Sequence, residues 1–438
     1  MRRLYTLLWW ALLPFVALAG VRRARREQAA GIAGGALRPG LIWRERLARL
    51  AQPAASPGAA AGATLWVHAA SVGEVQLAAV LIGAVRSQSP GLAIVLSCQT
   101  ATGRARAHEL LPDVPLRYAP YDLPGAVRRC FAALRPAALI LMETELWPNL
   151  LAEAARRRVP VLVASARLSS RSLRAHRMLR GLLRPAIERN VWVAAQSSED
   201  AERFAALGVP PERLSVAGNL KFDRPAPLEA HSRGKALRAL FATRPVWVAG
   251  STHPIEQAIV LDAHRRVCAR YPDALLVLAP RHPPRFEESA RQLQEQAWRY
   301  QRRSRELAGE PWVSDCQVLL LDTLGELMDF YAAADVAFVG GSLVPVGGHN
   351  LLEPAALALP LLSGPHQGNS PQVSRVLTQD GALGIVGNAE ELAARLQALF
   401  ASPALRRQQG EKARTAIEQH RGALQRLLTL IATLPRAP

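Results

Sequence analysis

Several short stretches of this 438-residue chain gather side chains that can move protons or hold anions. In Trp66-Val67-His68-Ala69-Ala70-Ser71-Val72-Gly73-Glu74 an apolar, strand-like run ends in a small-residue turn. An almost wholly apolar helical run, Val75 to Val85, follows. Glu74 therefore occupies a strand-to-helix junction, where α/β proteins present groups to ligands, and a carboxylate there can accept a proton. Its simpler alternative is a helix-start acid favoured by the macrodipole, which would keep Glu74 ionised and lower its basicity. Gly73 beside it lets a backbone or ligand approach closely.

Met142-Glu143-Thr144-Glu145-Leu146-Trp147-Pro148-Asn149 places two acids and an indole at a second strand end. Gly218-Asn219-Leu220-Lys221-Phe222-Asp223 closes a third. Lys221 is one of only three lysines, with Lys235 and Lys412, in a chain whose basic residues are otherwise arginine. A compact ammonium is one reason for it, and chance is the other.

In the second half, Gly340-Gly341-Ser342 through Gly347-Gly348-His349-Asn350-Leu351-Leu352-Glu353-Pro354 follows a strand and enters a helix. Its glycines and the helix N-terminus suit a phosphate, and Glu353 suits a ribose diol. A plain turn capped by Asn350 is the alternative. Arg281, in Ala279-Pro280-Arg281-His282-Pro283, ends a strand where an anion would meet it. Leu324-Gly325-Glu326 opens a further helix. No Walker motif, G-x-G-x-x-G, D-x-D, H-E-x-x-H or G-x-S-x-G occurs, so the usual acidic metal bridge to a nucleotide diphosphate is missing. The chemistry read here requires no metal and no cofactor.

These groups need rigid elements to hold them. From Thr64 short apolar runs alternate with helical ones: Leu65–His68, Ala93–Ser97, Leu116–Tyr118, Ala138–Met142, Val159–Ala164, Val191–Ala195 and Leu214–Ala217. A second series comprises Val246–Ala249, Ala274–Leu278, Val318–Leu321, Val336–Val339, Leu359–Leu362 and Leu383–Val386. Such runs predict two parallel, doubly wound sheets, one covering 63–224 and one 246–400. Prolines 225, 227 and 245 bracket a polar, helical piece, read as the interdomain linker 225–245. Two such domains make the cleft between them the expected site. A basic helical stretch, 401–438, is expected to cross back to the first domain.

Residues 1–26 form a hydrophobic segment with a basic flank. Leu4 to Val21 carries no charge and is about 27 Å long as a helix. Ala17-Leu18-Ala19 imitates a signal-peptide cleavage site, but Arg22, Arg23, Arg25 and Arg26 outweigh Arg2 and Arg3 and favour a retained anchor with a cytoplasmic body. Within the membrane-proximal segment 27–62, Leu41 to Leu50 fits a short basic amphipathic helix. The net charge of +19 suits an anionic membrane or substrate, since no nucleic-acid reading motif accompanies it. Four dispersed cysteines, Cys98, Cys130, Cys268 and Cys316, indicate reduced thiols.

Taken together, Ala70–Glu74, Met142–Asn149, Ala166-Arg167-Leu168-Ser169, Leu220–Asp223, Pro280–Pro283 and Gly347–Glu353 resemble the 3-deoxy-D-manno-octulosonic acid (Kdo) transferases of lipopolysaccharide synthesis. The resemblance runs from about Leu65 to the C-terminus. It implies a GT-B glycosyltransferase of two Rossmann-like domains at the inner membrane, facing the cytoplasm. It also implies metal-independent transfer of Kdo from CMP-Kdo to the lipid A precursor (lipid IVA), with inversion. By the same resemblance Glu74 is the general base, and Glu143 and Lys221 stabilise the transition state. Pro280, Arg281, Leu324, Gly325, Glu326, Asn350, Leu351, Leu352 and Glu353 form the CMP site. In Ser251-Thr252-His253-Pro254-Ile255-Glu256-Gln257 the chain departs from the family, which has glycine at Ile255 and an acid at Gln257, so the loop is expected to differ in shape. Two rivals are a GT-B enzyme using another nucleotide sugar and a non-catalytic, membrane-tethered basic binding protein.

Overall fold

The computed structural model describes residues 2–29, 39–49, 64–224 and 228–435. Among the described residues there are fourteen strands: β1 (Thr64–Ala69), β2 (Ala93–Cys98), β3 (Leu116–Tyr118), β4 (Pro136–Met142), β5 (Val161–Ala166), β6 (Val191–Ala195), β7 (Leu214–Val216), β8 (Val246–Thr252), β9 (Leu275–Pro280), β10 (Tyr300–Arg302), β11 (Val318–Leu320), β12 (Val336–Val339), β13 (Leu361–Ser363) and β14 (Leu383–Ile385). They build two seven-stranded sheets, ordered 3-2-1-4-5-6-7 and 10-11-9-8-12-13-14. Every ladder is parallel.

The chain divides into two compact units, Met1–Arg224 with Arg421–Pro438, and Pro225–His420. In the first, helices cover both sheet faces. Leu150, Leu151, Ala154, Leu183 and Ile187 pack with Val161 and Val163 on one face. Val75, Leu81, Ile82 and Val85, with Leu427 and Leu428 from the C-terminal helix, cover the other. Strands buried on both sides must be apolar at nearly every position, which is why they stand out in the sequence. β10 does not: it is a three-residue edge strand with two polar side chains.

The stretch 225–245, read as a polar, helical piece at the domain boundary, carries the helix Leu228–Phe241, which belongs to the second unit. Its Ala230, Leu237 and Phe241 are buried, and Phe241 stacks on Phe330 at 6.4 Å. Residues 30–38 and 50–63, most of the segment read as membrane-proximal, lie outside the described residues. The basic helix expected at Leu41–Leu50 spans Pro39–Arg46 and docks on the first unit. Trp43 meets Tyr121 at 5.4 Å, and Glu45 accepts from Tyr118 N at 2.7 Å and Arg104 Nη1 at 2.9 Å. The C-terminal stretch is two helices, Pro403–Gln419 in the second unit and Ala423–Thr433 in the first, joined through the left-handed Gly422 (φ +97°).

Candidate functional site

In each unit the strand order reverses beside its first strand, and in such sheets the C-terminal edge at that reversal receives the ligand. In the first unit the reversal separates β1 from β4. β1 runs into Ala70–Glu74, and β4 into Glu143.

Ser71 is the N-cap of helix Val72–Gln88, and its Oγ accepts from Glu74 N at 3.3 Å. The Glu74 carboxylate folds back over this turn, accepting from Ala70 N at 2.8 Å and Ser71 Oγ at 2.9 Å. Burial pushes Glu74 up to about 7, against those hydrogen bonds, and the negative fields of Glu143 and Glu145 add to the rise. The lowered basicity expected of a helix-start acid is therefore not what the site produces. Desolvation outweighs the helix end.

Glu143 leaves β4 with φ +56°, a left-handed conformation uncommon outside glycine. It is held there by Glu143 N donating to Ala164 O at 3.0 Å. Its Oε1 lies 3.4 Å from Lys221 Nζ. Lys221 stands on the 3₁₀ turn Leu220–Asp223, which is fixed at both ends. Leu220 N donates to Ser165 Oγ at 3.3 Å on β5, and Asp223 accepts from Gly422 N at 2.6 Å and Leu424 N at 2.9 Å, capping the C-terminal helix. Glu145, whose carboxyl burial raises, accepts from Gln99 Nε2 at 3.1 Å. Gln99 and Ser165 were not singled out by sequence. Neither carries a spacing signal, because each acts through a neighbouring strand.

The second unit's reversal separates β8 from β12. Its glycine-rich loop differs from the expected phosphate cradle. Fully buried Glu256 fills the loop, accepting from Gly341 N at 2.7 Å, Ser342 N at 3.0 Å, Leu343 N at 2.9 Å and His253 N at 3.2 Å. Gly340 N donates to Gly250 O and Gly348 N to Gly341 O. These donors are taken, and the helix that follows, Leu352–Ala356, is only five residues long. The departure at Ile255 and Gln257 does not disturb this arrangement. Ile255 is 75% exposed on the first helical turn, and Gln257 is buried, accepting from Ser289 Oγ at 3.0 Å.

The remaining residues of the expected CMP site sit as follows. Pro280 ends β9, and Arg281 N donates to Thr252 O at 3.0 Å, so the exposed Arg281 emerges beside the end of β8. Leu324 is exposed and Gly325 is left-handed at φ +89°, with open space where a Cβ would stand. Glu326 binds Arg303 Nη2 at 2.7 Å and the Thr323 hydroxyl; burial opposes its ionisation, but these contacts and the Arg303 charge hold its carboxyl below the usual range. Asn350 Oδ1 accepts from Leu352 N at 3.2 Å, a turn bond made from one residue before the N-cap, which is Leu351. Leu351 is buried, Leu352 and Glu353 are half-buried, and the Glu353 charge reaches the buried Tyr331 hydroxyl.

Three imidazoles adjoin this group. His253 Nε2 and His349 Nε2 are 2.9 Å apart in parallel rings, and His282 stands edge-on to His253 at 5.6 Å. Burial first, then the Arg281 charge and the neighbouring rings, push His349 down to about 4. A Cβ on Gly341 would meet His349 Nε2 at 2.7 Å, which accounts for glycine there. Among the described residues no cluster of His, Cys, Asp and Glu has a metal-binding arrangement.

A sequence model of the 3-deoxy-D-manno-octulosonic-acid transferases matches residues 42–224. The chain is 40% identical over 439 residues to a 3-deoxy-D-manno-octulosonic acid transferase of Bordetella pertussis, with 98% of each chain covered. It is 39% identical over 371 residues to that of Haemophilus influenzae, across 84% of this chain and 86% of the other. A solved UDP-GlcNAc 2-epimerase from Neisseria meningitidis, bound to UDP-GlcNAc, aligns with a TM-score of 0.57 over 85% of this chain and all of its own. At 11% identity that is a likeness of fold.

Proposed function

The chain belongs to the Kdo transferases, glycosyltransferases of lipopolysaccharide biosynthesis that use CMP-Kdo, and on that premise we propose an inverting transfer of Kdo to lipid IVA with Glu74 as general base. The observation that carries the base role is the Glu74 carboxyl, half-buried at the first unit's strand reversal and raised to about 7. A base works best when its pKa lies near the working pH.

In this reading the acceptor hydroxyl attacks the anomeric carbon of Kdo from the side opposite CMP. Its proton passes to Glu74 as the new C–O bond forms. The bond between the anomeric carbon and the phosphate oxygen breaks, and CMP leaves as a phosphate monoester. Glu143 stabilises the positive charge that develops on the sugar ring. Lys221 holds Glu143 in place and offers its other N–H groups to the anionic sugar. In the second unit Pro280, Arg281, Leu324, Gly325, Glu326, Asn350, Leu351, Leu352 and Glu353 are proposed to bind CMP. Arg281 meets the departing phosphate. Residues of this chain thus supply the charge that the leaving group needs, and the reading calls for neither metal nor cofactor.

We also assign the enzyme to the inner membrane with both units on the cytoplasmic side. Helix Arg2–Ala29 supports this, because its part from Arg2 to Gly20, with mean hydropathy 1.4, is long and apolar enough either to cross a membrane or to lie inserted in its plane.

Mass spectrometry of lipid IVA incubated with CMP-Kdo and the protein tests the reaction. A mass increase of one or more Kdo units is expected. No increase, or stronger thermal stabilisation by UDP than by CMP, would point to a different donor.

A further inference from the structure

The N-terminal helix is docked lengthwise. Tyr5, Trp9, Leu13 and Val16 face the first unit: Leu13, Trp9 and Val16 cluster with Tyr121, Leu123, Ala126 and Trp43, and Tyr5 Oη donates to the buried Asp122 carboxylate at 2.9 Å. From residue 5 to 16 that is about 17 Å of helix held along the protein. The opposite face exposes Leu4, Leu7, Leu8 and Phe15. A helix held this way offers that face to a bilayer in its own plane.

Where this helix begins, a cavity opens between it and helices Pro124–Leu134, Pro148–Arg156 and Arg180–Asn190. Arg2, Arg128, Arg156 and Arg189 line it, against a single acid, Glu153. That acid is already engaged. Arg156 binds it at 2.6 and 2.8 Å and Arg157 at 2.7 Å. Arg2, Arg128 and Arg189 form no ion pair among the described residues, so the cavity holds uncompensated positive charge. Leu182 and Pro185 give it an apolar wall. The lining helices cover the sheet face opposite helix Val72–Gln88, which carries Glu74 in its first turn, so the cavity is separate from the proposed base.

We propose that this cavity binds the phosphate of an anionic membrane phospholipid and so fixes the N-terminal helix at headgroup depth. The ligand's phosphodiester oxygens meet the guanidinium groups, and its glycerol lies on Leu182 and Pro185. The inference rests on the membrane reading given above.

Co-sedimentation of the full chain with phosphatidylcholine vesicles, with and without phosphatidylglycerol, tests it. The double variant Arg128→Gln/Arg189→Gln is compared with Arg171→Gln/Arg174→Gln, which removes equal charge from helix Ser170–Met178, where no residue is buried. A general surface field costs about fivefold in affinity per arginine and affects both pairs alike. The cavity pair should lose at least tenfold more phosphatidylglycerol binding than the control. Equal losses, or an equal loss on pure phosphatidylcholine, overturn the proposal. If the cavity pair melts early, Arg2→Gln decides, and unchanged phosphatidylglycerol binding in that variant overturns it. Inorganic phosphate, against chloride at equal ionic strength, should displace the wild-type protein from the anionic vesicles. Phosphate that raises Tm without displacing it marks a free-anion site, and a raised KM for lipid IVA in neutral detergent with unchanged vesicle binding marks an acceptor site; either overturns the proposal. A protein that binds no vesicle of any kind overturns the membrane reading itself.

Discussion

Lys221 Nζ lies 3.4 Å from Glu143 Oε1, a pair made by two elements 78 residues apart, the left-handed exit of β4 and the 3₁₀ turn after β7. Both side chains are about a quarter exposed, so the pair itself adds little stability. Its value lies in aiming a cation and a carboxylate at one place. Lys221→Ala should lower kcat by about 10²-fold or more, the scale of losing one transition-state donor, and leave CMP affinity near wild type. Steady-state kinetics with CMP titration check this. An unchanged kcat would remove Lys221 from the reaction.

The raised Glu74 carboxyl predicts a pH profile. Only the ionised form accepts a proton, so kcat/KM should rise with pH and level off above about 7. Glu145→Gln removes one of the negative fields that raise Glu74, and should move the rising limb to lower pH. A limb that stays in place in Glu145→Gln assigns the titration to another group.

The same shift predicts a stability effect with the opposite pH sign. A carboxyl raised from 4.5 to about 7 by folding contributes stability below the lower value and loses it as pH climbs through the upper one. Glu74→Gln, which is neutral throughout, should therefore raise Tm at pH 8 and change it little at pH 4. Turnover should fall by about 10²- to 10⁴-fold, the range for losing a general base, while CMP binding survives. Equal Tm changes at both pH values would show that Glu74 is not desolvated in the folded protein.

How far the sequence carried the reading differs between the two units. Strands such as Leu65–Val67 and Val336–Val339 were legible because parallel strands covered on both faces are uninterrupted apolar runs. Glu74, Glu143 and Lys221 were legible as candidate groups at strand ends, and topology brings the strands leading to the first two together. The upward shift of the Glu74 carboxyl was not legible, since a helix start can be read from Ser71 and Glu74 but depth of burial cannot. Glu256 shows the same limit more sharply. The glycines at 340, 341, 347 and 348 signalled open N–H groups, but Gly341 N is taken by a carboxylate 85 residues upstream, and Gly340 N and Gly348 N by backbone carbonyls. Asp223 likewise looked like part of a chemical motif, and its carboxylate caps a helix that begins 200 residues later.

That carboxylate in the glycine loop should be structural. Glu256→Gln keeps the shape but turns a charged acceptor of several N–H groups into a neutral amide with donors of its own. Charge-assisted hydrogen bonds contribute about 1.5–3 kcal/mol each, so Tm should fall by several degrees. CMP affinity should fall with it, because the loop leads directly into Asn350–Glu353. Differential scanning calorimetry and CMP titration read the two effects. Wild-type Tm would mean that the loop holds its shape without the charge.

Asp223 gives the most selective test, because it touches no reacting group and yet holds the turn that carries Lys221. Its oxygens accept from Gly422 N at 2.6 Å and Leu424 N at 2.9 Å, and Arg421 Nε donates to Phe222 O at 3.3 Å beside it. Asp223→Ala leaves two helix-start donors unsatisfied, at a cost of about 1–2 kcal/mol. It should also let Lys221 drift from Glu143, lowering kcat with little change in KM for CMP-Kdo. Asp223→Asn retains a cap acceptor and should recover most of the stability and part of the turnover. A purely structural cap would lower Tm in Asp223→Ala and leave the kcat of the folded protein unchanged, so kcat measured well below Tm separates the two roles.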